Sequence, residues 1–125
     1  MVTSDTLRGW ALELPEAVEE ETWGAATFRV RTKIFVILRA EDGVASVKAS
    51  KPDQAELIAG DAETYRVASH VGRFGWVEVT LASADPTELH SVVLEAWRRT
   101  APKRLQVTLP DHLKTLLPAA PVVDR

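Results

Sequence analysis

The sequence predicts an α+β domain in two layers, an antiparallel β-sheet with helices packed on one face. Three observations lead there. Three stretches read as helices, each with a capping residue in front of it, and in the first and third apolar residues recur at helical spacing. Between them lie short runs of alternating or continuous apolar character, of strand length. The joints between runs are too short for the crossover that parallel strands require, so neighbouring strands run antiparallel.

The first helix is expected over Ser4–Leu14, where Leu7, Trp10, Ala11 and Leu14 form one stripe and Pro15 stops the chain. The acidic run Glu19-Glu20-Glu21 reads as a solvated connector, or as charges guarding an edge strand. Strands are expected to begin near Glu21, with Thr22-Trp23-Gly24 as a short strand and turn. Thr27–Arg31 alternates, with Phe28 and Val30 on one face and Arg29 and Arg31 on the other. Thr32-Lys33 is a turn, and Ile34–Leu38, apolar on both faces, is a central strand. Glu41-Asp42-Gly43 reads as a hairpin turn, and Val44–Ala49 as the next strand. Its core face is Ala45, Val47 and Ala49, which sends Ser46 and Lys48 the other way.

A second helix spans Lys51–Ala59, capped by Ser50 with Asp53 three residues on and ended by Gly60. Thr64–Ala68 is a short strand. A glycine-punctuated hairpin loop carrying His70, Arg73 and Phe74 leads into a strand at Trp76–Leu81. Val77, Val79 and Leu81 define the core side there, which places Trp76, Glu78 and Thr80 on the far side. The third helix has its start written out: Asp85 as cap, Pro86 at the first position and Glu88 to complete a capping box. Leu89, Val92, Val93, Ala96 and Trp97 form its stripe, and Ala101-Pro102 ends it. Residues 1–104 form the domain. The segment 105–125 reads as a tail too apolar to be solvated, with a short strand at Leu105–Leu109 and a helix at Asp111–Leu117 ended by Pro118–Pro121. It is expected to pack on the domain or on a partner subunit.

Composition bounds the function. The chain of 125 residues has no cysteine, so thiolate catalysis, disulfides and cysteine metal sites are excluded. It has no bilayer-length apolar run, and Met1–Asp5 lacks a signal-peptide pattern, so a cytoplasmic protein is the default expectation. No phosphate-binding glycine loop, Gly-x-Ser-x-Gly elbow or zinc-spaced histidine pair occurs. His70, His90 and His112 are scattered, and neither a metal nor a cofactor is expected. The net charge of −3 hides two basic zones: residues 24–51 carry six basic and two acidic groups, and Arg98, Arg99, Lys103 and Arg104 follow the third helix.

In this order and spacing, Trp23-Gly24-x-x-Thr27-Phe28-Arg29-Val30, Lys33-Ile34-Phe35, Gly75-Trp76-Val77, Asp85-Pro86-x-Glu88-Leu89 and Ala96-Trp97 resemble the MmcQ/YjbR family. The resemblance runs from about Leu7 to Lys103. It implies a fold similar to frataxin and CyaY, and it implies DNA binding, for which the family is described through a "double-wing" arrangement.

Two readings of the far sheet face follow. Trp76, Lys48, Glu78 and the arginines could stack a base and neutralise phosphate. Alternatively the charges pair across strands and the tail or a partner subunit covers Trp76. Arg73 sits at a loop tip suited to phosphate, or is merely exposed there. Arg98 and Arg99 suit a helix C-terminus on dipole grounds alone. The expectation is a non-enzymatic DNA-associated protein, with Arg29, Arg31, Lys33, Lys48, Arg73, Arg98, Arg99, Lys103 and Arg104 as contacts. Trp76, His70 and Glu78 are candidates for an exposed-face or ligand site. The alternative is an interaction module, a homodimer for instance, built on the open sheet face and the tail.

Overall fold

A computed structural model describes residues 2–116. The chain begins with α1 (Ser4–Leu12), followed by β1 (Val18–Thr22), β2 (Ala25–Val30), β3 (Lys33–Arg39) and β4 (Val44–Val47). Then come α2 (Lys51–Gly60), β5 (Tyr65–Val67), β6 (Val77–Thr80), α3 (Pro86–Thr100), α4 (Lys103–Gln106) and α5 (Asp111–Lys114). All six strands join one antiparallel sheet in the order β1-β2-β3-β4-β6-β5.

Paired residues of adjacent strands share a face. The helix-covered face carries Phe28, Val36, Val47 and Val77, each fully buried, with Leu38, Ala45 and Val79 in the neighbouring row. The register slips between Phe28 and Arg29, where Phe28 faces Val36 and Arg29 faces Ile34. Phe35 is the extra residue, and both Phe35 and Val36 are fully buried. A bulge thus lets β3 put two successive side chains inward. Leu7 and Ala11 of α1 and Leu89, Val93, Leu94 and Trp97 of α3 complete the core. The Trp97 indole N–H donates to the Pro15 carbonyl at 3.0 Å, so the residue that stops α1 also holds α3.

The caps form where local sequence placed them. Thr3 accepts from the Thr6 amide, Ser50 from Asp53 and Asp85 from Glu88, at 3.1, 3.1 and 3.0 Å. The reciprocal half of each expected capping box is replaced by a tertiary contact. Asp53 turns to Arg99, and Glu88 accepts from the Tyr65 hydroxyl at 2.9 Å.

Three expectations need correction. Strands begin at Val18 rather than Glu21, so Glu19-Glu20-Glu21 lie within the exposed edge strand β1. The stretch 105–109 is not a strand: α4 occupies Lys103–Gln106, and Leu105, Leu109 and Leu113 are buried in the domain core. Leu105 lies in α4, Leu109 in the turn that follows and Leu113 in α5, and the alternation that suggested a strand leaves Val107 76% exposed. The third correction, at Lys48 and Trp76, concerns the site below. Of the helix expected at Asp111–Leu117, the part up to Leu116 is described and turns helical only to Lys114. Leu117 and the expected break at Pro118–Pro121 lie outside the described residues.

Candidate nucleic-acid interface

The antiparallel meander decides which charges meet. A two-residue turn, Arg31-Thr32, joins β2 to β3 at one end of the sheet, with both residues in the left-handed region at φ 51° and 70°. At that same end β4 leaves the sheet through Lys48, whose amide donates to the Phe35 carbonyl at 3.1 Å. The loop between β5 and β6, with Arg73, also lies there, because Val77 pairs with Val47. Gly75 seats this loop. At φ 102°, a Cβ there would stand 2.6–2.9 Å from backbone atoms of Ala49, Ser50 and Lys51. Gln54 of α2 fixes the loop from the other side, donating to the Gly72 and Trp76 carbonyls at 2.8 and 2.7 Å. The C-terminal half of α3 arrives at the same place through the ion pair of Arg99 with Asp53.

The two basic zones of the sequence therefore converge. Burial, then the charge of Lys33, then that of Arg99, push the Lys48 ammonium below the usual lysine range. Cations from a hairpin and from a helix end thus act on the one at the strand exit. Lys33, Arg73, Lys103 and Arg104 are exposed, and among the described residues they and Lys48 have no ion-pair partner. The Arg99 guanidinium keeps its Nε buried without a hydrogen-bond partner, while its other end meets Asp53. Lys51, not singled out by the sequence, is exposed at the same end as the first residue of α2.

The other candidates are neutralised where they stand. Arg31 forms a two-pronged pair with Glu16 at 2.5 and 3.1 Å, and the Arg31 hydrogen bond holds the Glu16 carboxyl below the usual carboxylate range. Arg98 is held in the same way by Glu95. Arg29 is bound to Thr22 and Thr27 and lies 3.6 Å from Glu20.

The open sheet face is a row that crosses all six strands: Glu20, Thr27, Ile37, Ser46, Glu78, Arg66. Glu78 is paired with Arg66 at 2.7 Å, a partner the sequence reading did not weigh. Cross-strand pairing thus accounts for its charges. Lys48 is not on this face. Strand alternation ends at Val47, and Lys48 instead lines a groove of about 620 Å³ between α2 and α3, with Asp53, Glu56, Glu95 and Arg99. Trp76 is not displayed either. It is only 8% exposed, and it lies outside the central apolar cluster, as its position opposite Val77 requires. His70 is exposed at φ 65° in the loop beside Arg73, whose guanidinium lies 4.8 Å from the Phe74 ring centroid. The structure does bring the two other histidines together: His90 stacks on Trp10 at 4.4 Å, and Glu13 lies 3.3 Å from His90 and 4.0 Å from His112. Among the described residues, no group of three or more acidic, histidine or cysteine side chains is arranged to hold a metal ion. Among them, too, no helix is long and apolar enough to cross a membrane.

Fold and surface together describe a small α+β domain with one basic end. A model of the YjbR family matches residues 12–99, and the chain belongs to that family. In structure it is similar to protein DR2400 of Deinococcus radiodurans, which carries the domain DUF419. The TM-score is 0.74 at 22% identity, over 89% of this chain and 91% of that one. That likeness speaks to fold alone. Among curated proteins none matches.

Proposed function

We propose that the protein is a non-catalytic binding protein for nucleic acid, and that the basic end of the sheet is its contact surface. The observation that carries this reading is the convergence of two basic zones far apart in sequence at one end of the sheet, where Lys48 lies within electrostatic range of both Lys33 and Arg99. Arg73, Lys103 and Arg104 extend the surface with cations that no described carboxylate neutralises. Clustered like charges cost stability unless a counter-charge arrives, and a phosphate backbone supplies a row of them. Arg29, Arg31 and Arg98 drop out of the contact set because their partners already hold them, and Arg99, paired with Asp53, adds its charge to the cluster without a free guanidinium to offer. The remaining contacts carry no base-reading geometry, so affinity rests on phosphate and sequence preference is low.

A mobility-shift titration of a short duplex at two ionic strengths tests the reading. With about four phosphates engaged, log K should fall with log salt at a slope of roughly −3.6. Charge reversal at Lys33→Glu with Lys48→Glu should weaken binding at least about tenfold at low salt, whereas Arg31→Ala should change it little. Absence of binding at low salt, or indifference to the double reversal, overturns the proposal.

A further inference from the structure

The opposite end of the sheet has the opposite character. Its most exposed large residue is Trp23, which is 100% exposed. Trp23 and Gly24 form the two-residue turn between β1 and β2, at φ 50° and 81°. Turns of this kind favour asparagine or glycine in the first place, since other side chains are strained there by roughly 1 kcal/mol. A tryptophan in that position is strained and leaves its whole indole in water. No contact among the described residues offsets either cost.

The strand leading to it, β1, is an edge strand with four of its five residues exposed. Its outer backbone groups have no partner among the described residues. Glu19 and Glu21 share the helix-side face of the sheet with Phe28 and Ala26. Beside them a groove of about 350 Å³ opens, floored by Ala26 and Leu38, rimmed by Trp23, and walled by Glu21, Glu41 and Asp42. Arg8 and Arg39 also line it: Arg8 is already engaged by Asp5 at 3.1 Å and Glu19 at 3.0 Å, and Arg39 is exposed, so four carboxylates, Glu19, Glu21, Glu41 and Asp42, stand against two cations and the groove keeps a net negative charge. Glu21, Glu41 and Asp42 have no ion-pair partner among the described residues.

We propose that the β1 edge and the Trp23 turn bind an extended, lysine- or arginine-rich segment of another protein. The free edge offers backbone pairing to an added strand, as in other strand-addition complexes. Alternate side chains of that strand would point to the Glu19–Glu21 side, where complementary charge selects cations and the apolar floor receives their stems. Tryptophan is the strongest aromatic partner for a cation, and it stands at the rim. The glutamates alone would read as protection against edge-to-edge pairing. They do exclude a second copy of this edge, because glutamate would meet glutamate. An exposed tryptophan works against protection, however, so the edge is selective rather than blocked. The antiparallel turns put this surface at the end away from Lys33 and Lys48, so it does not depend on the nucleic-acid reading and both can be occupied together.

The test is calorimetric titration of the full chain with a ten-residue peptide of alternating lysine and threonine, blocked at both ends. Binding is expected for the native chain, with an amide-shift footprint on β1 in NMR. Trp23→Asn suits the left-handed turn, so it should keep or raise the melting temperature while weakening binding at least about tenfold. Glu21→Lys should do the same. Four results overturn the proposal: no binding to the native chain, equal affinity in Trp23→Asn, equal affinity for a glutamate–threonine peptide, or a concentration-dependent self-association abolished by Trp23→Asn in the absence of peptide binding.

Discussion

At Gly75 the backbone sits at φ 102° with the carbonyl of Ala49 and the start of α2 directly where a side chain would go. Glycine is required twice over, by conformation and by space. Gly75→Ala should lower stability by at least about 2 kcal/mol, read as a shift in the urea midpoint at unchanged slope. It should also loosen the loop that carries Arg73. The left-handed residues Glu16, Trp23, Arg31, Thr32 and His70 show the same physics without glycine. At Glu16 and Arg31 the strain is shared by two residues that also form an ion pair with each other. Sequence flagged the glycines as turn formers, but nothing local announces that a tryptophan or a threonine will hold positive φ. The register of the strands on either side imposes it.

At the scale of elements, the link between β5 and α3 is chemically the sharpest. Tyr65 is 1% exposed and donates its hydroxyl to Glu88. Burial first, then this bond and the nearby carboxylates, raise the phenol above its ordinary value near 10. A group whose folded value is raised contributes stability that is intact below the unfolded value and lost as pH climbs past it. Stability should therefore fall above about pH 10, where the unfolded chain releases the proton first. Tyr65→Phe should cost about 1 kcal/mol at neutral pH and flatten that alkaline decline. Tyr65 is the single tyrosine of the chain, so phenolate absorbance reports it without deconvolution. Helices were the most legible elements because their caps are local. Ser50 and Asp85 cap as the sequence implies, yet the acids at Asp53 and Glu88 are diverted to Arg99 and Tyr65, partners 46 and 23 residues away. Such diversions depend on packing and have no local signature.

Across the whole molecule, the described residues after Arg104, 105–116, contribute to the core. Leu105, Leu109 and Leu113 are 5%, 5% and 2% exposed and join the same apolar cluster as Trp97. Burying three leucines is worth about 4–9 kcal/mol, comparable with the entire stability of a domain this size. A chain ending at Arg104 should lose its cooperative urea transition or show a midpoint far below that of the full chain. The net charge of −3 is likewise a molecular property that misleads when averaged, because the meander gathers Lys33, Lys48 and Arg99 at one end and Glu21, Glu41 and Asp42, with Arg8 and Arg39 among them, at the other.

Period and punctuation in the sequence were enough for the class of fold. Alternation in Val77–Thr80, the stripe Leu89–Val93–Trp97 and hairpin-length turns leave only an antiparallel sheet under helices, because each signal reports a local, repeating geometry. The site was legible only as composition: two basic zones and a loop arginine. Which cations remain free, that Lys48 leaves the sheet toward α2 and α3, that Trp76 is covered while Trp23 is bare, were decided by tertiary structure alone. The reason is physical. A side chain's face follows from its own strand, but its partners and its exposure follow from what other strands and helices bring beside it.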